Sequence, residues 1–288
     1  MELSRRDFMM ASSAVAAAFG LRPLTEACAA ASSGLPPVVW LQAQTCSGCS
    51  VSLLNSIALL NPVDLLTKTI SLQYHPTLMS AYGPDAIAAA QAVRNTTGFV
   101  LVVEGAIPTA SQGKQCYLWP GTTALQGVKD FASKAAFVIA TGTCASYGGV
   151  AAGSPNPTAA RSVAAVAGTS KLVNIPGCPT HPDWIVGTIA YLLKNGQAPP
   201  MDTYRRPKMF FQRTVHETCP YKDDEDRCLE DLGCKGKKTY GDCSTRLWNS
   251  PGPAQPGVNW CALSRSPCHG CTEPGFPDQM SPFRAESD

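Results

Sequence analysis

Beyond Asn195 the sequence stops looking like a chain that folds around its own hydrophobic core. Residues 196–288 are rich in Pro, Gly, Lys and Cys, with only short helical hints near 223–232. They carry His216, Cys219, Cys228, Cys234, Cys243, Cys261, Cys268 and Cys271. Such a segment has too little apolar surface to offset the entropy of ordering it. Something inorganic is expected to hold it together. Seven cysteines leave one over in any all-disulfide scheme. With the histidine they divide instead into two sets of four. "HETC" and "CLEDLGC" make a His-Cys-Cys-Cys site, and "CHGC" with Cys243 and Cys261 makes a four-thiolate site. Zinc and an iron–sulfur cluster both accept such ligands.

The preceding part has the opposite character. "PVVWLQ" (37–42), "TISLQY" (69–74), "FVLVVEG" (99–105), "AAFVIA" (135–140) and "KLVNIPG" (171–177) read as strands. Continuous apolar strands are those buried on both faces of a parallel sheet. Helical patterns fall between them at 50–60, 83–95, 121–133 and 158–167, and "PDWIVGTIAYLLKN" follows the last strand. Pro84 and Asp85 begin the second of these helices, where helix starts favour them. The alternation predicts the α/β class, a flavodoxin-like doubly wound parallel sheet over residues 35–195. Residues 196–288 then form a loop-rich C-terminal domain.

In an open parallel sheet, ligands bind at the carboxyl ends of the strands. Cys46 and Cys49, in "TCSGCS", follow the first strand; Cys144, in "GTCASYGG", follows the fourth; Cys178, in "IPGCPTHPDW", follows the fifth. Three loops thus deliver four thiols to one edge. Zinc usually draws on two close CxxC pairs. Single cysteines on distant glycine-rich loops fit a cubane better, because glycine leaves room for its larger body.

The chain has 288 residues, enough for a substantial core. Its 23 basic and 21 acidic residues give a formal charge of +2, no footprint for nucleic acid. At the N-terminus, "SRRDFMM" with the twin Arg5 and Arg6 precedes an Ala-rich apolar stretch and "ACAAAS". Residues 1–31 therefore read as a twin-arginine signal peptide, against the alternative of a helical arm with chance arginines. Cys28 lies in the processing zone, and Thr25 argues against a lipobox. No other apolar run approaches the roughly 20 residues of a membrane span.

Together these pieces resemble the small subunit of nickel–iron hydrogenases over nearly the whole chain. The matching motifs are "CSGC", "VVEGAIP", "GTCASYGG", "PGCPTHPDW", "HETC", "CLEDLGCKG" and "NWCALSRSPCHGCTEPGFPD". The resemblance implies an electron wire of three 4Fe-4S clusters beside a large subunit that holds the nickel–iron centre. It assigns a proximal cluster to Cys46, Cys49, Cys144 and Cys178. It assigns a distal, surface cluster to His216, Cys219, Cys228 and Cys234. The medial cluster takes Cys243, Cys268 and Cys271, with Cys261 as the fourth ligand. Cys28 and Cys116 are left over, and no catalytic group falls on this chain. A periplasmic multihaem c-type cytochrome is the implied electron partner, and peripheral membrane association is compatible with the periplasmic location.

The departures are also informative. Ser47, Gly48 and Gly149 stand where oxygen-tolerant relatives carry a cysteine-rich proximal motif, so an ordinary cubane is expected. Thr45 replaces a common glutamate. Cys261 replaces a family proline, as in the nickel–iron–selenium branch. His75 and His181 are expected to be loop or core histidines, and Cys116 a small core residue. Glu104 ends a buried strand on the cofactor edge, either as a hydrogen-bonded structural carboxylate or as a proton-handling group. Lys235, Lys237 and Lys238 form a solvated face or steer a carrier. A quinone- or coenzyme-reducing subunit would share the proximal motif but not the other two. A stand-alone ferredoxin-like carrier fits poorly with so apolar and charge-poor a chain, which favours an obligate partner.

Overall fold

The computed structural model describes residues 34–248 and 259–280. The leader read at 1–31 and Cys28 lie outside them.

The five long strands are β1 (Pro37–Gln42), β2 (Ser71–Tyr74), β3 (Val100–Glu104), β6 (Phe137–Thr141) and β7 (Leu172–Ile175). Between β3 and β6 lies a short antiparallel pair, β4 (Tyr117–Trp119) and β5 (Thr122–Thr123). The large sheet is parallel throughout, in the order β2-β1-β3-β6-β7. Without the small hairpin this is the flavodoxin-like order, as expected.

Period-two alternation gives each strand two apolar faces. Val39, Leu41, Leu101, Val103 and Val138 face helices α2 (Gly83–Arg94) and α3 (Ala124–Lys134). Val38, Trp40, Val102, Ile139 and Val173 face α7 (Pro182–Asn195), with Phe210 and Phe211 in the same cluster. The shorter helices α1 (Gly48–Leu54), α4 (Gly142–Tyr147), α5 (Gly149–Ala152) and α6 (Val163–Ala167) complete the layers.

Several helices are shorter than their apolar patterns suggest, because side-chain caps intervene. Thr123 Oγ1 accepts from Gln126 N, so α3 starts at Ala124 rather than 121. Ser162 Oγ accepts from Ala165 N and starts α6 five residues late. Helix α1 ends at Leu54, and beyond it the buried Ser56 hydroxyl donates to Leu60 O. The strand expected from residue 69 begins at Ser71, after a π-helical turn over Leu65–Thr69.

From residue 196 onward regular structure shrinks to single turns, among them Lys208–Phe211 and Cys243–Arg246. The segment is not wholly without a core, contrary to expectation. Val215, Leu229, Trp260, Ala262 and Cys268 form a small buried cluster, with Cys219, Cys234 and Cys243 packed against it. Arg206 ties the beginning of this segment to its end. Its guanidinium pairs with Asp202 at 2.7 Å and Glu273 at 2.8 Å. Tyr204, Phe211 and Tyr240 lie within cation–π range of it.

Candidate functional site

The chain runs outward from β1 to β2 and returns to β3, so the crevice of the sheet opens between the carboxyl ends of β1 and β3. There Gln42 pairs with Glu104 in register. Ser47 adopts a left-handed conformation, φ 62°, and starts α1 with Cys46 before it and Cys49 in the first turn. Cys144 lies in α4, directly after β6, and Cys178 follows β7. The four thiols come together. Cys49 is raised by burial first and by Glu104, Cys144 and Cys178 after it. Burial also raises Cys178, to about 11, with Cys144 and Cys46 adding to it.

Two glycines make room for these sulfurs. A Cβ on Gly142 (φ +85°) would stand 2.7 Å from the Cys49 sulfur. One on Gly149 (φ +50°) would stand 2.9 Å from that of Cys144. Both positions need glycine for backbone and for space.

Glu104 is buried beneath this set. It accepts from Trp40 Nε1 at 3.0 Å, Gln42 Nε2 at 3.1 Å, Thr45 Oγ1 at 3.0 Å and the Cys49 amide at 3.1 Å. The Ser50 amide and hydroxyl also donate to it. A carboxylate so surrounded by donors is a hydrogen-bonded hub that fixes the loop. His75 joins the network through Ser50 Oγ at 3.1 Å, and burial pushes its pKa down to about 4. His181 caps α7, its Nδ1 accepting from Asp183 N and its Nε2 facing Leu247 O at 2.8 Å. Both histidines are buried and partnered, as expected. Cys116 packs against the sheet core. The roles of Trp40, Gln42 and Ser50 were not apparent in the sequence, where nothing distinguishes them from core or loop residues.

The set Cys243, Cys261, Cys268 and Cys271 also converges. Burial raises all four thiols, and every pair among them is close enough for charge–charge repulsion. Residue Cys261 is exposed in this chain, yet its thiol lies within charge–charge range of the other three. In the remaining set, Cys219 interacts with Cys234 and Cys228. Gly236 approaches both Cys234 Sγ and His216 Cβ, each 3.5 Å from its ideal Cβ position. Lys237 pairs with Glu230 at 2.5 Å nearby.

Two contacts order the three sets. Burial raises the Cys271 thiol, and a hydrogen bond from the Cys178 backbone opposes the rise. The Cys268 amide donates to Cys234 Sγ at 3.2 Å. The set that comes last in sequence therefore lies between the other two. Every cysteine among the described residues is a free thiol, against the disulfide alternative. No three His, Cys, Asp or Glu side chains among them stand close enough to share one metal ion.

Residues 46–192 match the family described as NADH ubiquinone oxidoreductase, 20 Kd subunit. Residues 206–284 match the C-terminal family of NiFe/NiFeSe hydrogenase small subunits. The chain is 38% identical to the periplasmic NiFeSe hydrogenase small subunit of Desulfomicrobium baculatum, over 98% of this chain and 99% of that one. It is 41% identical to the periplasmic NiFe hydrogenase small subunit 1 of Nitratidesulfovibrio vulgaris, over 98% of this chain and 93% of that one. Among solved structures, the recombinant NiFeSe hydrogenase from Desulfovibrio vulgaris Hildenborough superposes with a TM-score of 0.79 at 40% identity, covering 88% of this chain and 98% of that one. With this sequence, this sheet and these thiol sets, the chain belongs to the small-subunit family of nickel–iron and nickel–iron–selenium hydrogenases, as the electron-transfer partner of a large subunit.

Proposed function

We propose that this chain carries electrons between the large subunit's active site and an external carrier through three 4Fe-4S clusters. Cys46, Cys49, Cys144 and Cys178 hold the proximal cluster. Cys243, Cys261, Cys268 and Cys271 hold the medial one, and His216, Cys219, Cys228 and Cys234 the distal one. The observation that carries this reading is the spatial order of the sets, with the medial residues touching both others. The clusters, when bound, supply one-electron redox chemistry. The protein's part is to orient thiolates, keep water from them and supply amide donors to sulfur. Because burial holds several thiols protonated, loading each site must release protons.

Gly142 and Gly149, whose lack of side chains lets the Cys49 and Cys144 sulfurs in, support a site built around those thiols. Val51 and Leu54, on the helix that carries Cys49, are exposed, which supports seating the large subunit there. Cys261 supports membership of the nickel–iron–selenium branch. We assign residues 35–195 to the flavodoxin-like domain and 196–288 to the C-terminal one. The twin-arginine leader and the relatives named periplasmic support export to the periplasm, where a multihaem c-type cytochrome is the expected carrier. No helix among the described residues is long and apolar enough to cross a membrane, and peripheral attachment fits the reading.

Iron and sulfide analysis of the purified complex tests it. Three four-iron clusters require about twelve irons with matching sulfide, beyond the iron of the active site. About four or eight, or stoichiometric zinc, contradicts the assignment.

A further inference from the structure

Thr143 lies between Gly142, whose bare Cα leaves room for Cys49, and Cys144. It is buried, at 1% exposure. Its amide donates to Gly177 O at 3.0 Å, and its hydroxyl accepts from the Gly177 amide at 2.8 Å. The same hydroxyl donates to the carbonyl oxygen of Cys271. A threonine hydroxyl has one proton to give and lone pairs to receive. Both capacities are used here, in opposite directions.

Gly177 adjoins Cys178, so this one side chain joins three loops that carry cysteines. Two belong to the proximal set, through Cys144 and Cys178, and the third is medial, through Cys271. Beside it runs the hydrogen bond from the Cys178 backbone to the Cys271 thiol. Among the described residues no other group hydrogen-bonds the Thr143 hydroxyl, and the side chain is buried.

We infer that Thr143 is the positioning residue for the electron step between the proximal and medial sites. Its hydroxyl holds the Cys271 backbone against the Cys144–Cys178 side and fixes the closest approach of the two sites. The inference rests on the cluster reading above. One electron crosses at a time, the proximal group being oxidised as the medial group is reduced. Hydrogen, split on the large subunit into two protons and two electrons, supplies the electrons in succession. No proton moves at Thr143.

The test compares the purified heterodimer as wild type, Thr143→Ser, Thr143→Val and Thr143→Ala. Iron content and the paramagnetic resonance spectrum of each report whether the clusters are present. Wild-type complex without cluster signals would refute the underlying reading whatever Thr143 does. Hydrogen–deuterium exchange with water is expected to be unchanged in every variant, since it needs no relay. Freeze-quenched samples mixed with hydrogen then follow proximal and medial reduction separately. In the Val and Ala variants the proximal signal should appear at the wild-type rate and the medial signal several-fold later; Ser, which keeps the hydroxyl, should behave as wild type. Wild-type medial reduction in Val or Ala, with clusters intact, overturns the inference. If neither assembles a medial cluster while Ser does, the hydroxyl serves assembly rather than transfer, and the inference fails as stated.

Discussion

The amide of Cys268 reaches 3.2 Å to the sulfur of Cys234, and Lys235, the next residue, returns a hydrogen bond from its own amide to Cys268 O at 2.9 Å. Two backbone segments that bear ligands of different sets are thereby locked in register. An amide pointing at a thiolate stabilises its charge. The thiol sets of Cys234 and Cys268 therefore share a polar contact as well as proximity, and the properties of the sites proposed there are expected to depend on each other.

On the proposed assignment His216 takes the place of a fourth thiolate, and a site with an imidazole ligand instead would carry one negative charge fewer and be easier to reduce. His216→Cys should lower the distal potential and slow reduction of an added cytochrome, leaving hydrogen–deuterium exchange intact. Redox titration and cytochrome assays check this. Loss of isotope exchange in a variant with its other clusters intact would show that His216 does not mark the exit.

On the proposed assignment Cys261 is the fourth medial ligand, and three thiolates without it would hold a cluster lacking one iron. Cys261→Pro should convert that site to a 3Fe-4S cluster of higher potential. Paramagnetic resonance of the oxidised protein reads the outcome directly. A stoichiometric three-iron signal in undamaged wild-type protein would remove Cys261 from the set.

Gly142 and Gly168 both have positive φ, +85° and +59°, but only Gly142 has a thiol where its side chain would go. Alanine at either costs about 1 kcal/mol or somewhat more in backbone strain. Gly142→Ala should in addition displace Cys49 and lose about four irons, one cluster's worth. Gly168→Ala should retain full iron. Equal iron in the two variants would mean that the space beside Cys49 holds no cluster.

His75 gives the fold an acid limb. In the unfolded chain it takes up a proton near pH 6.5, whereas burial holds off protonation in the folded state until about 4, with Glu104 partly opposing the shift. The unfolded state therefore binds more protons between these values, and stability falls as pH drops through them. The loss reaches roughly 3 kcal/mol at the low end. Urea midpoints of the complex from pH 4 to 7 should decline less steeply for His75→Gln than for wild type. Parallel curves would assign the acid sensitivity elsewhere.

Much of this was legible in the residues because it depends on local chemistry. Apolar runs separated by helical patterns dictate a parallel sheet buried on both faces, and that topology sends Cys46, Cys144 and Cys178 to one edge. The glycines around Cys144 mark a place where the backbone is approached closely, and the structure puts the Cys49 and Cys144 sulfurs there. Cap residues such as Thr123 and Ser162 were visible too, but the apolar pattern ran past them, since periodicity carries no signal for where a hydrogen bond ends a helix.

What only the tertiary structure decided is how distant segments meet. Thr143 and Cys271 are 128 residues apart, and Trp40 and Glu104 are 64 apart. In sequence, residues 216–234 precede 243–271; in space the later set lies between the earlier one and the sheet edge. Motifs specify which atoms can bind a group, through ligand type and spacing. Which group lies next to which depends on how an irregular segment folds back, and that is set by buried contacts such as Arg206 with Glu273. No periodicity encodes such contacts, because each joins two residues whose neighbours in sequence are unrelated.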